Sequence, residues 1–291
     1  MDNRSTVREF LSSRRAKLAP EDVGLAPGVR KRRVPGLRRE EVAMLAGVSV
    51  DYYTQLERGN LAGVSESVLN AVAQALHFDE AESAHLFDLA QSASGSPPRR
   101  RRPPARQVRP GVQIVLDSMI SAPAWVRNER MDIVATNKLG HAMHAELFDD
   151  PGHAPNIARF VFLDPRSQNF YPEWDAVADT VVANLRGAAG RNPYDKELSN
   201  LVGELSTRSE TFGTRWATHD VRLHRSGTKQ LHHPVVGDLE LKFEAFELPS
   251  DPGLTMFVYA AEPNSASEDA LKVLASWAVT HSTKQSRPAT R

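Results

Sequence analysis

The stretch QSASGSPPRRRRPPARQVRPG, residues 91–111, rules out one continuous core. It is made largely of Pro, Arg, Ser and Gly. Its few apolar residues follow no period, so it buries neither a helix stripe nor a strand face. At 291 residues the chain is long enough for two ordinary domains, and this stretch separates them. Helical spacing dominates before it, and alternating, extended segments collect near the end of the chain. The expected organisation is an all-α five-helix domain over 1–91, a Pro/Arg-rich linker over 92–110, and an α+β domain over 111–283. A polar, disordered tail follows over 284–291.

The overall charge is zero, yet the two parts differ. Residues 1–110 carry 18 Lys+Arg against 13 Asp+Glu, and residues 111–291 carry 18 against 23. A basic part joined to an acidic part suggests that only one end meets a polyanion. There is no cysteine, which excludes disulfides and thiolate metal sites and fits a reducing compartment. The start, MDNRSTVREF, lacks the apolar run of a signal peptide, and no apolar stretch is long enough to cross a bilayer. A cytoplasmic protein with no membrane partner is expected.

Spacings of three and four residues predict five helices in the first domain. They run over 5–18 (Val7, Phe10, Leu11 and Leu18 inward), 38–46, 50–58, from Ser65 (Val68, Leu69, Val72, Leu76), and from Asp79 (Leu86, Phe87, Leu89). Glu82 stands three residues after Asp79, the spacing of a capping box. Between the second and third helices lies LAGVSVDYYTQLERG, residues 45–59. Gly47 accepts the positive φ of a sharp turn. Val48 plugs the gap between the helices, and Ser49 caps the next one. Tyr53 and Leu56 face inward, and Gly59 ends the helix. The remaining face carries Val50, Asp51, Tyr52, Thr54, Gln55 and Arg58. A helix with one buried stripe and a polar outer face fits the major groove of DNA. A plain αα-hairpin with a glycine turn is the bland alternative.

LRREEVAMLAGVSVDYYTQLERG resembles the helix-turn-helix of Xre/Cro-type bacterial repressors, and the likeness covers roughly residues 5–90. VPGLRREEVA resembles the actinobacterial subgroup whose second half is an MmyB-like ligand-sensing domain. The resemblance implies that Val50, Asp51, Thr54 and Gln55 face base edges. Gln55 would pair with adenine, Thr54 would reach a polar edge or a thymine methyl, and Asp51 would accept from cytosine. Arg39 and Arg58 would reach phosphates, and Tyr52 either target. Ser49 at the helix start and Arg33 complete the implied DNA-contacting set. The run Lys31, Arg32 and Arg33 tracks a backbone or enters a minor groove, or is a solvated basic loop. Arg99–Arg102 likewise either adds salt-sensitive affinity or keeps a linker soluble. Glu40 and Glu41 read as charges matched to a helix N-terminus rather than contacts.

In the second part, Ala124–Arg127 and Met131–Thr136 read as strands around the turn Asn128-Glu129-Arg130. A helix over 137–148 follows, capped by Asn137, and the β-β-α start looks PAS-like. Helices are expected at Trp174–Arg186, Lys196–Thr207 and Ser267–Ala278. Strands are expected at Asp220–Arg225, Lys229–His233, Leu239–Phe246 and Thr255–Ala260. WATHDV (216–221), HHPVVGDLELKFEAF and YAAEPNS resemble the MmyB-like domain over roughly 110–280. Relatives often read P-G-S where this chain has Pro263-Asn264-Ser265. The resemblance implies a site for an apolar or amphipathic small molecule, with fatty acid-like compounds as the leading class. Trp125, Asn137, Phe160, Trp174 and Trp216 are the candidate ligand contacts.

An enzyme, perhaps a hydrolase with an attached helix-turn-helix, is the rival class. His219 beside Asp220 invites it, but neighbours in a strand point to opposite faces. No serine elbow is present. His141 and His144, supplemented by His153, His232 and His233, have metal-ligand residue types without a metal-site motif, so exposed or satisfied histidines are expected. A protein-binding adaptor is a third class. The reading that accounts for most residues is a one-component transcription regulator: a homodimer on a pseudo-palindromic double-stranded operator, modulated by a small ligand, with no metal or cofactor.

Overall fold

The computed structural model describes residues 3–25, 36–94, 107–149, 152, 154–192, 194–217 and 226–285. The predicted strand at 220–225, with Arg33, Arg99–Arg102, His153, His219 and Asp220, lies outside them. By contacts the chain forms two compact units. One comprises Met1–Arg100 with Val182–Leu223, and the other Arg101–Val181 with His224–Arg291.

The first unit begins with the five helices expected: α1 Asn3–Lys17, α2 Arg39–Leu45, α3 Val50–Glu57, α4 Glu66–Ala75 and α5 Glu80–Ala93. Their apolar stripes meet in one core. Val7, Phe10 and Leu11 of α1 pack with Val42 of α2, Tyr53 and Leu56 of α3, Leu69 and Val72 of α4, and Leu86 and Leu89 of α5. The caps are those the residue types dictate. Ser49 Oγ accepts from Tyr52 N, Ser65 Oγ from Val68 N, and Asp79 exchanges hydrogen bonds with Glu82. Gly47 turns at φ +65° between α2 and α3, and Val48 lies against the core. The same unit includes the second half of α10 (Trp174–Arg191), α11 (Lys196–Arg208) and α12 (Glu210–Ala217).

The second unit is built on a five-stranded antiparallel sheet in the order β2-β1-β5-β4-β3. Its strands are β1 Ala124–Asn128, β2 Ile133–Thr136, β3 Ser226–His233, β4 Gly237–Glu247 and β5 Leu254–Ala260. On one face α6 (Pro110–Ser118) presses Val112 and Leu116 onto Ala124, Val126, Leu254 and Met256. The other face carries Trp125, Leu231, Leu239, Leu241, Phe243, Phe257 and Tyr259, all buried. The helices of this unit are α7 Lys138–Met143, α8 Ile157–Leu163, α9 Arg166–Phe170, the start of α10 and α13 Ala266–Gln285. The fold is α+β and PAS-like, as the β-β-α start implied.

Three sequence expectations need correction. The second strand starts at Ile133 rather than Met131, because Met131 sits at φ +67° in a turn. Asn128 Oδ1 builds that turn by accepting from Arg130 N and Asp132 N. The helix over 137–148 is broken at His144 (φ −119°), and a 3₁₀ turn over Ala145–Phe148 follows. Four helices went unpredicted: α6, α8, α9 and α12. At the Pro263-Asn264-Ser265 departure, Asn264 takes φ +61°, and Asn is the residue after glycine best suited to that region.

Candidate DNA-reading face and sensor interior

α3 divides cleanly into two faces. Tyr53, Leu56 and Glu57 are buried, while Val50 (46% exposed), Asp51, Tyr52 (40% exposed), Gln55 and Arg58 face outward and Thr54 is half-buried. Thr54 Oγ1 donates to Val50 O at 2.7 Å. Gln55 Oε1 accepts from Asn60 Nδ2 at 2.6 Å. That leaves Gln55 its two N–H donors and a second lone pair for a base edge.

Glu57 anchors the base of this face. Only 2% exposed, its carboxylate accepts from Arg15 Nε and Nη2 (3.3 and 2.9 Å) and from Arg39 Nε and Nη2 (2.9 and 3.3 Å). Arg15 Nη1 also donates to Leu37 O at 2.7 Å. A carboxylate at this depth requires such pairing. Hydrogen bonding to Glu57 holds the Arg39 guanidinium above its ordinary pKa. Half of the Arg39 side chain stays in solvent, so the guanidinium is fixed at the start of α2 with one side outward. Glu41 accepts from Arg38 N at 2.7 Å and Glu40 pairs with Arg38, in keeping with acidic groups at a helix start.

In the second unit the buried sheet face joins a continuous set of rings. Trp125 lies 4.5 Å from Tyr259 in a stack and 4.5 Å from His144 edge-on. His144 continues to Phe170 (5.3 Å), and Phe170 to Tyr171 (4.9 Å) and Phe160 (5.8 Å). Burial drives the titrations here: it lifts the Tyr171 and Tyr259 phenols well above their ordinary range. Burial, with His233 nearby, pushes His144 down to about 3. His233 is tied to the chain. Val235 N donates to its Nδ1 (3.2 Å), so the proton sits on Nε2, which donates to Ala142 O (3.1 Å). Trp125 Nε1 and His144 Nδ1 are buried with no hydrogen-bond partner among the protein atoms.

Residues 108–274, more than half of the chain, match the model of the MmyB-like transcription regulator ligand binding domain. The chain belongs to the MmyB-like transcription regulators. Residues 4–86 of this MmyB-like regulator match a helix-turn-helix domain. No curated protein matches the chain. The family is one of transcription regulators, not enzymes, and the hydrolase alternative falls with it. Among the described residues, no helix is long and apolar enough to cross a membrane.

The MmyB-like regulator brings Val50, Asp51, Tyr52, Thr54 and Gln55 onto α3, with Ser49 and Arg58 as its caps and Arg39 fixed at the start of α2. Of the five candidate ligand contacts, the ring network joins Trp125 and Phe160. Asn137 is fully occupied elsewhere. Its Nδ2 donates to Met119 O and Ala122 O (both 2.7 Å), and its Oδ1 accepts from Ala124 N (3.1 Å) and Gly140 N (2.7 Å). Trp174 Nε1 donates to Val161 O and Ser167 Oγ, and its ring meets Phe162. Trp216 stacks on Phe212 and beneath the Arg186 guanidinium, in the first unit. His141 stacks on Phe148 at 4.1 Å, whereas His144 turns into the ring network. The expectation of exposed or satisfied histidines therefore fails at His144. Sequence reading did not single out Glu57, Asn60, Phe170, Tyr171 and Tyr259, which the structure packs or bonds against these candidate residues.

Proposed function

We propose that this regulator binds a pseudo-palindromic operator as a homodimer, placing one α3 in each of two successive major grooves. The outward face of α3 carries the reading: Val50, Asp51, Thr54 and Gln55 address base edges, and Arg39 and Arg58 address phosphates. Tyr52 and Ser49 border that face, and Arg33 belongs to the same contact set through the basic run before α2. The protein acts in the cytoplasm, where the operator is.

The second unit senses a molecule with a long apolar body, of the fatty acid-like class. Its contacts are Trp125 and Phe160, joined by Phe170, Tyr171 and Phe257. The ring network supports this, since small-molecule sites are mainly apolar with a few placed polar groups. Ligand and DNA affinities are then linked reciprocally. Footprinting the intact chain on DNA flanking its own coding sequence tests the first part. Two protected half-sites about one helical turn, or ~34 Å, apart are expected; a single protected site or none would contradict the dimer. Native mass spectrometry of the same sample reports the assembly and any co-purified molecule.

A further inference from the structure

We propose that the paired rings of Trp125 and His144 form the subsite for the polar end of the ligand, and that this end is a neutral hydroxyl or carboxamide. This rests on the reading of the second unit as a small-molecule sensor and adds the chemistry of the head group. Trp125 is 3% exposed and His144 4% exposed, and the two rings stand 4.5 Å apart, edge to face. Trp125 Nε1 and His144 Nδ1 both lack a partner among the protein atoms. Buried polar atoms are nearly always hydrogen-bonded, and two orphans on touching rings stand out against that rule. Two neighbouring buried polar side chains are answered locally: His233 by Val235 N and Ala142 O, Asn137 by four backbone groups.

The chemistry of the pair selects the group. An indole Nε1 only donates, so the ligand atom facing it accepts. A neutral imidazole nitrogen takes whichever role the other nitrogen leaves. One hydroxyl, or one carboxamide, answers both rings at once: its oxygen accepts from Trp125 and its proton is offered to His144. The surroundings favour a neutral group. The rings against the pair are Tyr259, Phe257 and Phe170, all uncharged. His144 itself is held neutral by burial. Two cations belong to this sheet face, and neither is a partner of the paired rings. Arg127 is two residues along β1, with its guanidinium over the Phe257 ring at 4.8 Å. Lys229 is on β3, three strands away, and burial disfavours its charge as well. A carboxylate at Trp125 would be stripped of water among these uncharged rings.

The test compares four probes of equal chain length on the intact protein by calorimetry: dodecanamide, dodecanol, dodecanoate and dodecane. Each is run on the wild type, Trp125→Phe and His144→Phe. The amide and alcohol are expected to bind roughly tenfold or more tightly than the carboxylate. Both variants are expected to lose roughly tenfold for the amide and to change little for dodecane itself. A second readout needs no variant to fold: the indole N–H resonance of Trp125 in the wild type shifts downfield when amide binds. Tighter binding of the carboxylate, or an unmoved Trp125 resonance with amide bound, overturns the head-group assignment while leaving the sensor reading intact. Failure of every probe, dodecane included, removes both.

Discussion

Glu57 shows how much one side chain can organise. Three helices converge on its carboxylate: α1 through Arg15, α2 through Arg39, and α3, which carries Glu57 itself. Replacing it with glutamine removes the charge and leaves the half-buried Arg15 beside a neutral amide. Glu57→Gln is expected to destabilise the helical unit by roughly 3 kcal/mol, read by urea unfolding. A loss under ~0.5 kcal/mol would mean that the two arginines find other partners. His144 gives a pH prediction. Its folded pKa, about 3, lies below the ordinary value, so the unfolded chain binds the proton first on acidification. Stability is therefore full above about pH 6.5 and falls as pH drops toward 3, by at most about 1.4 kcal/mol per pH unit from this group. His233 is lowered too and adds to the slope. Melting temperatures of wild type and His144→Phe between pH 7 and 5 check this. The variant's profile should be flatter, and identical slopes would contradict the assignment.

At the scale of elements, α3 depends on its first turn. Ser49 Oγ satisfies the Tyr52 N–H, and Ser49→Ala is expected to cost about 1 kcal/mol in chemical denaturation. A threonine or aspartate there should retain most of it. The close approach of α10 to α5 is the other sensitive point. A Cβ at Gly190 would lie 2.5 Å from His85 Cε1, and Ser92 Oγ donates to Gly190 O at 3.1 Å. Gly190→Ala is expected to cost about 1–3 kcal/mol despite alanine's better helix propensity. A stabilised variant would show that His85 yields without penalty. These elements also show what the sequence makes legible. The five N-terminal helices and the outward face of α3 follow from local spacing, caps and one glycine turn, all readable in a dozen residues. The burial of Glu57 does not, because its partners come from two other helices. His144 was hidden for a similar reason. Its neighbours arrive from β1, β3 and α9, and the helix breaks at that residue, so the three-residue spacing from His141 misleads. Asn137 was rightly read as a cap, and that role uses all four of its hydrogen-bonding positions. The short helices α8, α9 and α12 span eight residues or fewer, too few for a period to show.

The whole molecule combines a helical unit that presents a polar helix face with a sheet unit that has an aromatic interior. The family assignment makes the chain a regulator; which residues read the operator is the claim that most needs a measurement. The most direct one is fluorescence anisotropy of the intact protein on its footprinted operator and on a scrambled duplex, at one fixed salt concentration, for wild type and Gln55→Ala. Gln55→Ala is expected to lose roughly 1–3 kcal/mol on the operator and almost none on the scrambled duplex. Equal losses on both duplexes, or no loss on either, would contradict base reading by α3.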